Sequence, residues 1–287
     1  MNRPPPSLYD ADEYYSDNAS GSRLSPALDG LLRVFDRGRV RAVLKNTGIT
    51  AGKVLDVGAG DGKFIHFLQQ LGWKVRGTTT SERSAGAAKA LFGLQLDVSE
   101  TLDNLLPEAP FDVVTYWHVF EHLTEPTRHT NLWPALVGPG GFIVIEVPNI
   151  RSVGARMCYR SWLGSDDTHH VNHQPPSFIL GQLRDLGFEP TRTEFFSGKF
   201  TYVFLWSALL GFLFGRQYDF DGIMSILKQP SHMMRARPLW TMNALAAVGY
   251  LAPVIAGITI YGLMTDQGEV LRVYAKKQHT RSPEGDR

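Results

Sequence analysis

Three polar side chains that follow an apolar run have the types and spacing of a catalytic group. The run FDVVTYW at 111–117 is followed by His118, Glu121 and His122. On a short helix, spacings of three and four residues place side chains on one face. A histidine has a pKa near neutrality and suits a general base that removes a proton from a hydroxyl group. We therefore predict that His118 is the catalytic base.

The same set admits two other interpretations. H-x-x-E-H followed by a later histidine offers nitrogen and oxygen ligands at helical spacing, which a metal ion accepts. Alternatively, Glu121 and His122 only attach their helix to the sheet. Our prediction includes no resident metal. A second cluster lies in a predicted loop, where we expect it to close the acceptor pocket: His169, His170 and His173.

A glycine-rich turn marks a binding site nearer the N-terminus. The apolar strand VLDV is followed by GAGDG at 58–62 and then by a helical pattern. Glycines let the backbone approach a ligand closely, and the next helix offers free N–H groups. A phosphate loop would place Ser or Thr after Lys63, but Phe64 stands there. The turn is either a cofactor site of another kind or only a tight connection.

The elements that must position these residues alternate between strand and helix. Apolar runs predict strands at 54–57, 73–79, 93–97, 111–116, 141–147, 188–196 and 268–277. Helical spacing predicts helices at 31–44, 64–71, 83–92, 127–137 and 177–186. This alternation predicts an α/β fold in which helices cover both faces of a mostly parallel sheet.

Four motifs in this order resemble those of class I S-adenosylmethionine-dependent methyltransferases. They are VLDVGAGDGKF, the strand end at Asp97, FDVVTYWHVFEHLTEP and VGPGGFIVIEVPN. The most similar subgroup contains the ubiquinone-biosynthesis O-methyltransferases. The resemblance covers about residues 50–197. It implies a seven-stranded, mostly parallel Rossmann-like sheet and S-adenosyl-L-methionine as the cofactor.

The resemblance also implies which residues contact the cofactor. The residues around the glycine turn would surround the methionine part of the cofactor. The residues at the end of the third strand would bind its adenine. Trp117 would flank the sulfonium beside His118. In chain order the set is Asp56, Gly58, Ala59, Gly60, Thr79, Asp97, Val98 and Trp117.

Two positions depart from related patterns. Thr79 stands where the family usually has a carboxylate that holds the ribose hydroxyls. Hydrogen bonds to a charged group contribute roughly 1.5–3 kcal/mol each, so we expect weaker cofactor binding unless Glu82 takes over. Small-RNA 2′-O-methyltransferases have E-x-x-E-H and a distant histidine, and here His118 replaces the first glutamate. Because the first glutamate of that motif is replaced, the sequence supports a magnesium site less well.

Composition limits the other function classes. The 287 residues carry a net charge of +1, so no global charge directs the protein to nucleic acid. The single cysteine, Cys158, cannot form an internal disulfide and suits a reducing compartment. Residues 1–10 lack the apolar core of a signal peptide. The sequence carries no signal for an oligomeric state.

The chain divides into five predicted segments. Residues 1–30 form a flexible arm, 31–198 the first part of the methyltransferase domain, and 199–267 an apolar insertion between the last two strands. Residues 268–277 form the final strand, and 278–287 a polar tail.

The insertion contains two stretches without charge, at 200–215 and 239–265. The second has 27 residues, which as a helix exceed a hydrocarbon core of about 30 Å. Both ends of the insertion return to one sheet, and the connection at 216–237 is basic. Basic residues favour anionic headgroups on the cytoplasmic side. We therefore predict a monotopic hairpin in the inner leaflet and localisation at the cytoplasmic side of the membrane.

These patterns predict a membrane-associated methyltransferase that acts on a hydroxyl of a lipid-linked, quinone or glycan acceptor. One alternative is a soluble small-molecule methyltransferase whose insertion is a dimer interface or a lid. The other is a non-catalytic module that keeps the cofactor fold and binds a partner or a lipid.

Overall fold

The computed structural model describes residues 26–165, 169–214 and 238–278. Its strands are β1 Lys53–Val57, β2 Lys74–Thr79, β3 Asp97–Val98, β4 Phe111–Trp117, β5 Val137–Pro148, β6 Phe188–Glu194 and β7 Val270–Lys277. Its α-helices are α1 Pro26–Thr47, α2 Lys63–Gln70, α3 Glu82–Phe92, α4 Pro126–Thr130, α5 Trp133–Leu136, α6 Val153–Cys158, α7 Pro176–Asp185, α8 Gly198–Phe214 and α9 Pro238–Met264. Short 3-10 turns lie at Asp103–Glu108, Phe120–His122, Tyr159–Ser161 and Leu163–Ser165.

The seven strands form one sheet in the order β3-β2-β1-β4-β5-β7-β6. Neighbouring strands from β3 to β5 are parallel, and β7 runs antiparallel to both β5 and β6. This confirms the predicted α/β, Rossmann-like sheet. The strand order reverses between β1 and β4, and ligands of such sheets bind at the carboxyl ends of the strands at that point.

Successive strand residues supply the two faces of the sheet. Leu55 belongs to an apolar cluster with Trp133 and Leu183, whereas the preceding Val54 packs in a second cluster with Phe64. Because side chains alternate along a strand, a run of apolar residues can fill both faces at once. The core therefore holds the carboxyl ends of β1 and β4 in a fixed relation.

Several predicted boundaries differ from the structure, and three of the differences have a clear local cause. Gly93 has φ +68° and ends α3, so β3 is limited to Asp97–Val98. The helix predicted at 127–137 is two short helices, and Pro134 lies in the first turn of the second, where its missing N–H costs no hydrogen bond. The final strand begins at Val270, because Asp266 has φ +57° and the chain is still turning there.

Two apolar helices, α8 and α9, stand between β6 and β7 in the chain. They correspond to the uncharged stretches predicted at 200–215 and 239–265. Among the described residues, no helix is both long and apolar enough to cross a membrane. Most of the predicted arm and of the polar tail, at 1–25 and 279–287, lies outside the described residues. The whole of the basic connection at 216–237 lies outside them as well.

Candidate active site

The glycine turn leaves β1 through left-handed backbone. Gly58, Gly60 and Gly62 have φ values of +69°, +56° and +79°, a region that L side chains rarely adopt. Two backbone amides tie the turn to β2: Gly58 N donates to Thr78 Oγ1 over 3.2 Å, and Ala59 N donates to the Thr78 carbonyl over 2.7 Å. These hydrogen bonds hold the turn at residues 58–62 in a fixed position above the carboxyl end of β1. We call this turn the glycine ledge.

The space beside this ledge fits a cofactor that carries a carboxylate. A Cβ added to Gly60 would meet no heavy atom within 4 Å, so the backbone there borders open space. The next helix, α2, has Gly62 as its N-cap, and its first amide, Lys63 N, donates to Asp61 Oδ1 over 3.2 Å. Free amides at a helix N-terminus favour an anion. By contrast, a Cβ on Gly58 would lie 2.5 Å from Val119 Cγ2, which explains glycine at that position.

Asp56, just before the turn, is a buried carboxyl group that accepts a 2.6 Å hydrogen bond from Thr115 Oγ1. Burial raises its pKa to about 7, against the opposing effects of this hydrogen bond and the positive charge of Arg39. The side chain thus joins β1 to β4 beneath the ledge. Its predicted contact with the methionine part of the cofactor stays a prediction.

The ends of β2 and β3 lie side by side. Thr79 pairs with Val98 and is buried, and its Oγ1 accepts from Ser81 N at the start of α3. Asp97 Oδ2 lies 3.3 Å from Arg76 Nη2 without the alignment of a hydrogen bond. Glu82, the alternative ribose ligand, is exposed in the first turn of α3. The structure therefore brings Thr79, Asp97 and Val98 to one edge, and their contacts with the ribose and the adenine stay predictions.

Trp117, the last residue of β4, has two cations close to its ring. The guanidinium carbons of Arg39 and Arg272 are 4.8 and 5.5 Å from the centroid of its ring. The ring of Phe64 meets it edge-on at 5.2 Å. Its Nε1 is buried and has no hydrogen-bond partner among the described residues. An unpartnered buried N–H is costly, so this donor is suited to a bound ligand.

His118 leaves the sheet through a left-handed backbone with φ +54°. Its Nδ1 lies 3.1 Å from Glu121 Oε1, and its Nε2 lies 3.1 Å from Glu146 Oε1 without the alignment of a hydrogen bond. Burial lowers the pKa of His118, but the hydrogen bond to Glu121 and the negative charges of Glu121 and Glu146 outweigh burial and raise it. The expected helix is only the 3-10 turn Phe120–His122, so His118 meets Glu121 through the turn and not along a helix face.

A buried ion network lies behind His118, and the sequence patterns did not reveal it. Glu146 on β5 accepts from Arg272 Nε and Arg39 Nη2, each over 2.7 Å, and from Ser197 Oγ over 3.3 Å. Burial raises the pKa of Glu146, but the two arginines hold it well below its ordinary value. A signal was present: Glu146 and Arg272 interrupt apolar strands, and fully buried charges are almost always paired.

The predicted substrate histidines form one cluster with His122. His170 Nδ1 and His173 Nε2 each lie 3.0 Å from the Gly164 carbonyl, to which their ring N–H groups can donate. His122 Nδ1 lies 3.0 Å from the backbone carbonyl of His169. The rings of His122 and His170 are 4.7 Å apart between centroids. The structure therefore brings all three predicted histidines next to the turn after β4.

Part of this cluster has the geometry of a metal site. Glu121, His122 and His170 each offer one ligand atom, and the three atoms lie within 4.8 Å of one another. Glu121 Oε2 is buried without a hydrogen-bond partner among the described residues, so the donor set fits an ion bound by two imidazoles and a carboxylate. A metal held there would polarise an oxygen of the acceptor. His118 is not in the set, because it contacts the other oxygen of Glu121.

The fold and this site define a class of protein. A sheet with an antiparallel β7, a glycine ledge after β1 and polar residues after β4 are the features of S-adenosylmethionine-dependent methyltransferases. The chain belongs to the Methyltransferase domain family, whose model matches residues 25–193. It is a methyltransferase, and S-adenosylmethionine is its cofactor.

Known relatives agree with this assignment. The chain is 30% identical over 169 residues to the ubiquinone biosynthesis O-methyltransferase of Bordetella bronchiseptica, covering 53% of this chain and 69% of that protein. It is 28% identical over 118 residues to the same enzyme of Paraburkholderia phymatum, covering 39% of this chain and half of that protein. A solved S-adenosylmethionine-dependent methyltransferase from Mesorhizobium loti has a TM-score of 0.51 at 17% identity over 84% of this chain and 96% of that one, which shows the shared fold.

Proposed function

We propose that this methyltransferase methylates a hydroxyl group of a lipid-linked, quinone or glycan acceptor at a membrane surface. The observation that carries the hydroxyl chemistry is the placement of His118. It follows β4 directly, beside the glycine ledge, and Glu121 holds its Nδ1. The nitrogen Nε2 lies 3.1 Å from Glu146 Oε1 without the alignment of a hydrogen bond, so an acceptor hydroxyl would have to reach it beside this carboxylate.

In this proposal, His118 Nε2 accepts the proton of the acceptor hydroxyl while the oxygen forms a bond to the transferred methyl carbon. S-adenosylmethionine supplies that methyl group as a sulfonium, whose carbon–sulfur bond breaks as the new carbon–oxygen bond forms. Glu121 fixes the imidazole and stabilises the positive charge that it gains, as a carboxylate does in other histidine bases. Displacement at a methyl carbon is in line, so the remaining task of the chain is alignment of the two reactants.

The acceptor class is supported by the exposed side of α9. Leu239, Tyr250 and Met264 are 76%, 85% and 81% exposed, and α9 contains no Asp, Glu, Lys or Arg. Large exposed apolar patches mark interaction surfaces, and an apolar helix face suits the boundary between headgroups and acyl chains. Residues 216–237 add Arg216, Lys228, Arg235 and Arg237 in sequence, which favours anionic headgroups.

The names of the relatives support the same class, since they act in ubiquinone biosynthesis. We propose monotopic contact with the inner leaflet, with the protein on the cytoplasmic side. A hydroxyl on a membrane-anchored molecule would then reach the carboxyl ends of β4 and β5 from the lipid side.

The chemistry is tested by incubating lipid and soluble extracts with a labelled methyl donor and identifying labelled products by mass spectrometry. We expect a labelled lipid-soluble product. His118→Ala should abolish labelling while S-adenosylhomocysteine still binds in calorimetry. His66→Ala on α2 is the matched control and should label normally. If His118→Ala loses cofactor binding as well, His118 is structural and the proposed base is wrong.

One alternative has its own test. Partition of the expressed protein after salt and carbonate washes separates the membrane enzyme from a soluble one whose insertion is a dimer interface or lid. The non-catalytic module no longer stands, because the chain belongs to a methyltransferase family.

A further inference from the structure

We propose that α8 couples the membrane surface of α9 to the acceptor site, and that Phe200 covers His118 until α9 is docked. This inference rests on the proposed function, since it concerns access to the same base. It adds a residue that controls access and a role for the lipid surface in activity.

The covering contact is direct. The ring of Phe200 lies 3.8 Å from the imidazole of His118 between centroids, at an angle of 40°. The ring of Phe204, one turn further along α8, meets the same imidazole edge-on at 5.9 Å. The guanidinium of Arg39 lies 5.3 Å from the Phe200 ring. An acceptor hydroxyl therefore cannot approach the imidazole from the side of α8 while Phe200 is in this position.

The same helix carries the contact with α9. Leu205 and Leu209 of α8 bury against Ile255 of α9, with Trp206, Leu251 and Ile258 packed around them. Phe200 and Leu209 are nine residues apart, or about 14 Å along a helix. In this proposal a shift at Leu209 reaches Phe200 along α8, against the packing of Phe204 and Ala208 on Trp162 and the hydrogen bond from Leu163 N to Ser207 Oγ.

The outer side of α9 makes few contacts that would oppose a shift. Of its described side chains, those of Ile255 and Thr259 are buried, and the Thr259 hydroxyl donates to the Ile255 carbonyl of the same helix. Many more are exposed and apolar: Leu239, Met242, Tyr250, Val254, Ile260, Tyr261, Leu263 and Met264. Hydrophobic transfer scales with the apolar area removed from water, so this face favours a bilayer, and in this proposal the docked helix shifts at the small cluster around Ile255.

The test measures access to His118 without a methyl acceptor. Diethyl pyrocarbonate modifies accessible imidazoles, and mass spectrometry of peptides reports the rate at each histidine. In the wild-type chain, vesicles of phosphatidylglycerol and phosphatidylcholine should raise the rate at His118 about tenfold, as expected when a minor open state becomes the major one. The rate at His129, which is buried and bonded to the Glu100 carbonyl, should not change.

Variants test separately the cover over His118, the contact between α8 and α9, and the docking of α9. Phe200→Ala should show the fast rate at His118 without vesicles, whereas Tyr202→Ala, an exposed position on the same helix, should behave as wild type. Ile255→Ala should still sediment with vesicles but lose the tenfold response, because α9 no longer moves α8. The double variant Tyr250→Asp, Ile260→Asp should neither sediment nor respond, with Leu91→Asp on α3 as its exposed control.

The outcomes are distinct from those that test the methyl transfer. Sedimentation with vesicles without any change at His118 would overturn the coupling and leave the proposed docking intact. A Phe200→Ala rate equal to wild type would also overturn it, even if labelled product forms. Failure to sediment would overturn both the coupling and the membrane part of the proposed function, while the chemistry would still be judged by product labelling.

Discussion

Nδ1 of His118 lies 3.1 Å from Oε1 of Glu121, a hydrogen bond between the two polar side chains that the sequence placed three residues apart. The second oxygen of Glu121 is buried without a hydrogen-bond partner among the described residues, and it belongs to the cluster with His122 and His170. One carboxylate thus faces both the proposed base and the candidate metal site. A mutation of Glu121 therefore affects both the base and the candidate metal site, whereas a mutation of His170 removes a ligand of the candidate metal site alone.

Glu121→Gln should lower the turnover number about 100-fold to 1,000-fold, because an amide keeps the shape of the side chain and loses the charge that stabilises a protonated His118. The affinity for S-adenosylhomocysteine should remain within about twofold of wild type, since Glu121 does not line the glycine ledge. Steady-state kinetics and calorimetry measure the two quantities. Equal losses in turnover and cofactor affinity would show that Glu121 is only structural.

His170→Ala tests the metal geometry. If Glu121, His122 and His170 hold an ion, calorimetry with Zn²⁺ or Mg²⁺ should show one site per chain in the wild type, and removal of one ligand should weaken it about 100-fold. His173→Ala is the matched control, because His173 shares the Gly164 carbonyl with His170 but is not in the ligand set. Absence of stoichiometric binding in the wild type would favour our initial prediction of no resident metal.

Gly60→Ala should weaken cofactor binding more than it weakens the fold. Gly60 has φ +56° and borders open space, so a methyl group both strains the backbone by about 1–2 kcal/mol and enters the cofactor site. Gly72→Ala carries a similar strain at φ +87° with open space around it, away from the ledge. Thermal unfolding should report comparable losses for both variants. If both variants lose affinity for S-adenosylhomocysteine, or if neither does, the assignment of the glycine ledge to the cofactor site is wrong.

Stability should fall as pH rises from about 5 to about 7. Burial raises the pKa of Glu269 to about 7, although the Gly154 amide and the side chains of Ser152 and Trp162 donate to it. In that window the folded chain keeps a proton that the unfolded chain has released, so the free energy of unfolding decreases as pH increases. The contribution of this group is about 3 kcal/mol across the window.

Glu269→Gln should therefore flatten the slope of unfolding free energy against pH, measured by denaturant titration. It should not abolish the slope, since the pKa of Asp56 is also raised to about 7. Glu189→Gln, on the exposed side of β6, is the control and should keep the wild-type slope. A Glu269→Gln slope equal to that of wild type would show that Glu269 is ionised across the whole range in the folded state.

Much of the fold was predictable because its signals are local. Apolar runs marked most strands, and the glycines at 58–62 marked the ledge, since left-handed backbone strongly favours glycine. The prediction of strand boundaries was least accurate after α3, where the residues that follow the helix resemble a strand. The stretch after α3 is apolar, but Gly93 caps the helix and leaves only two residues for β3.

The site was predictable only in part. The pair His118 and Glu121 is local, so its spacing was sufficient to associate the two residues. The role of Arg39, Glu146 and Arg272 could not be inferred, because these residues are more than a hundred positions apart and meet only when α1, β5 and β7 pack together. The contact of Phe200 with His118 is likewise a consequence of where α8 lies, which no periodicity encodes.

The sequence by itself determined the order of strands and helices, the glycine ledge and the family, because each depends on neighbouring residues or on short motifs. Only the tertiary structure decided which nitrogen of His118 is held by Glu121, which histidine joins Glu121 and His122, and which charges neutralise Glu146. Those relations arise from the crossing of distant segments at the carboxyl end of the sheet, where burial removes water and leaves each charged or polar group dependent on the partners that the fold brings to it.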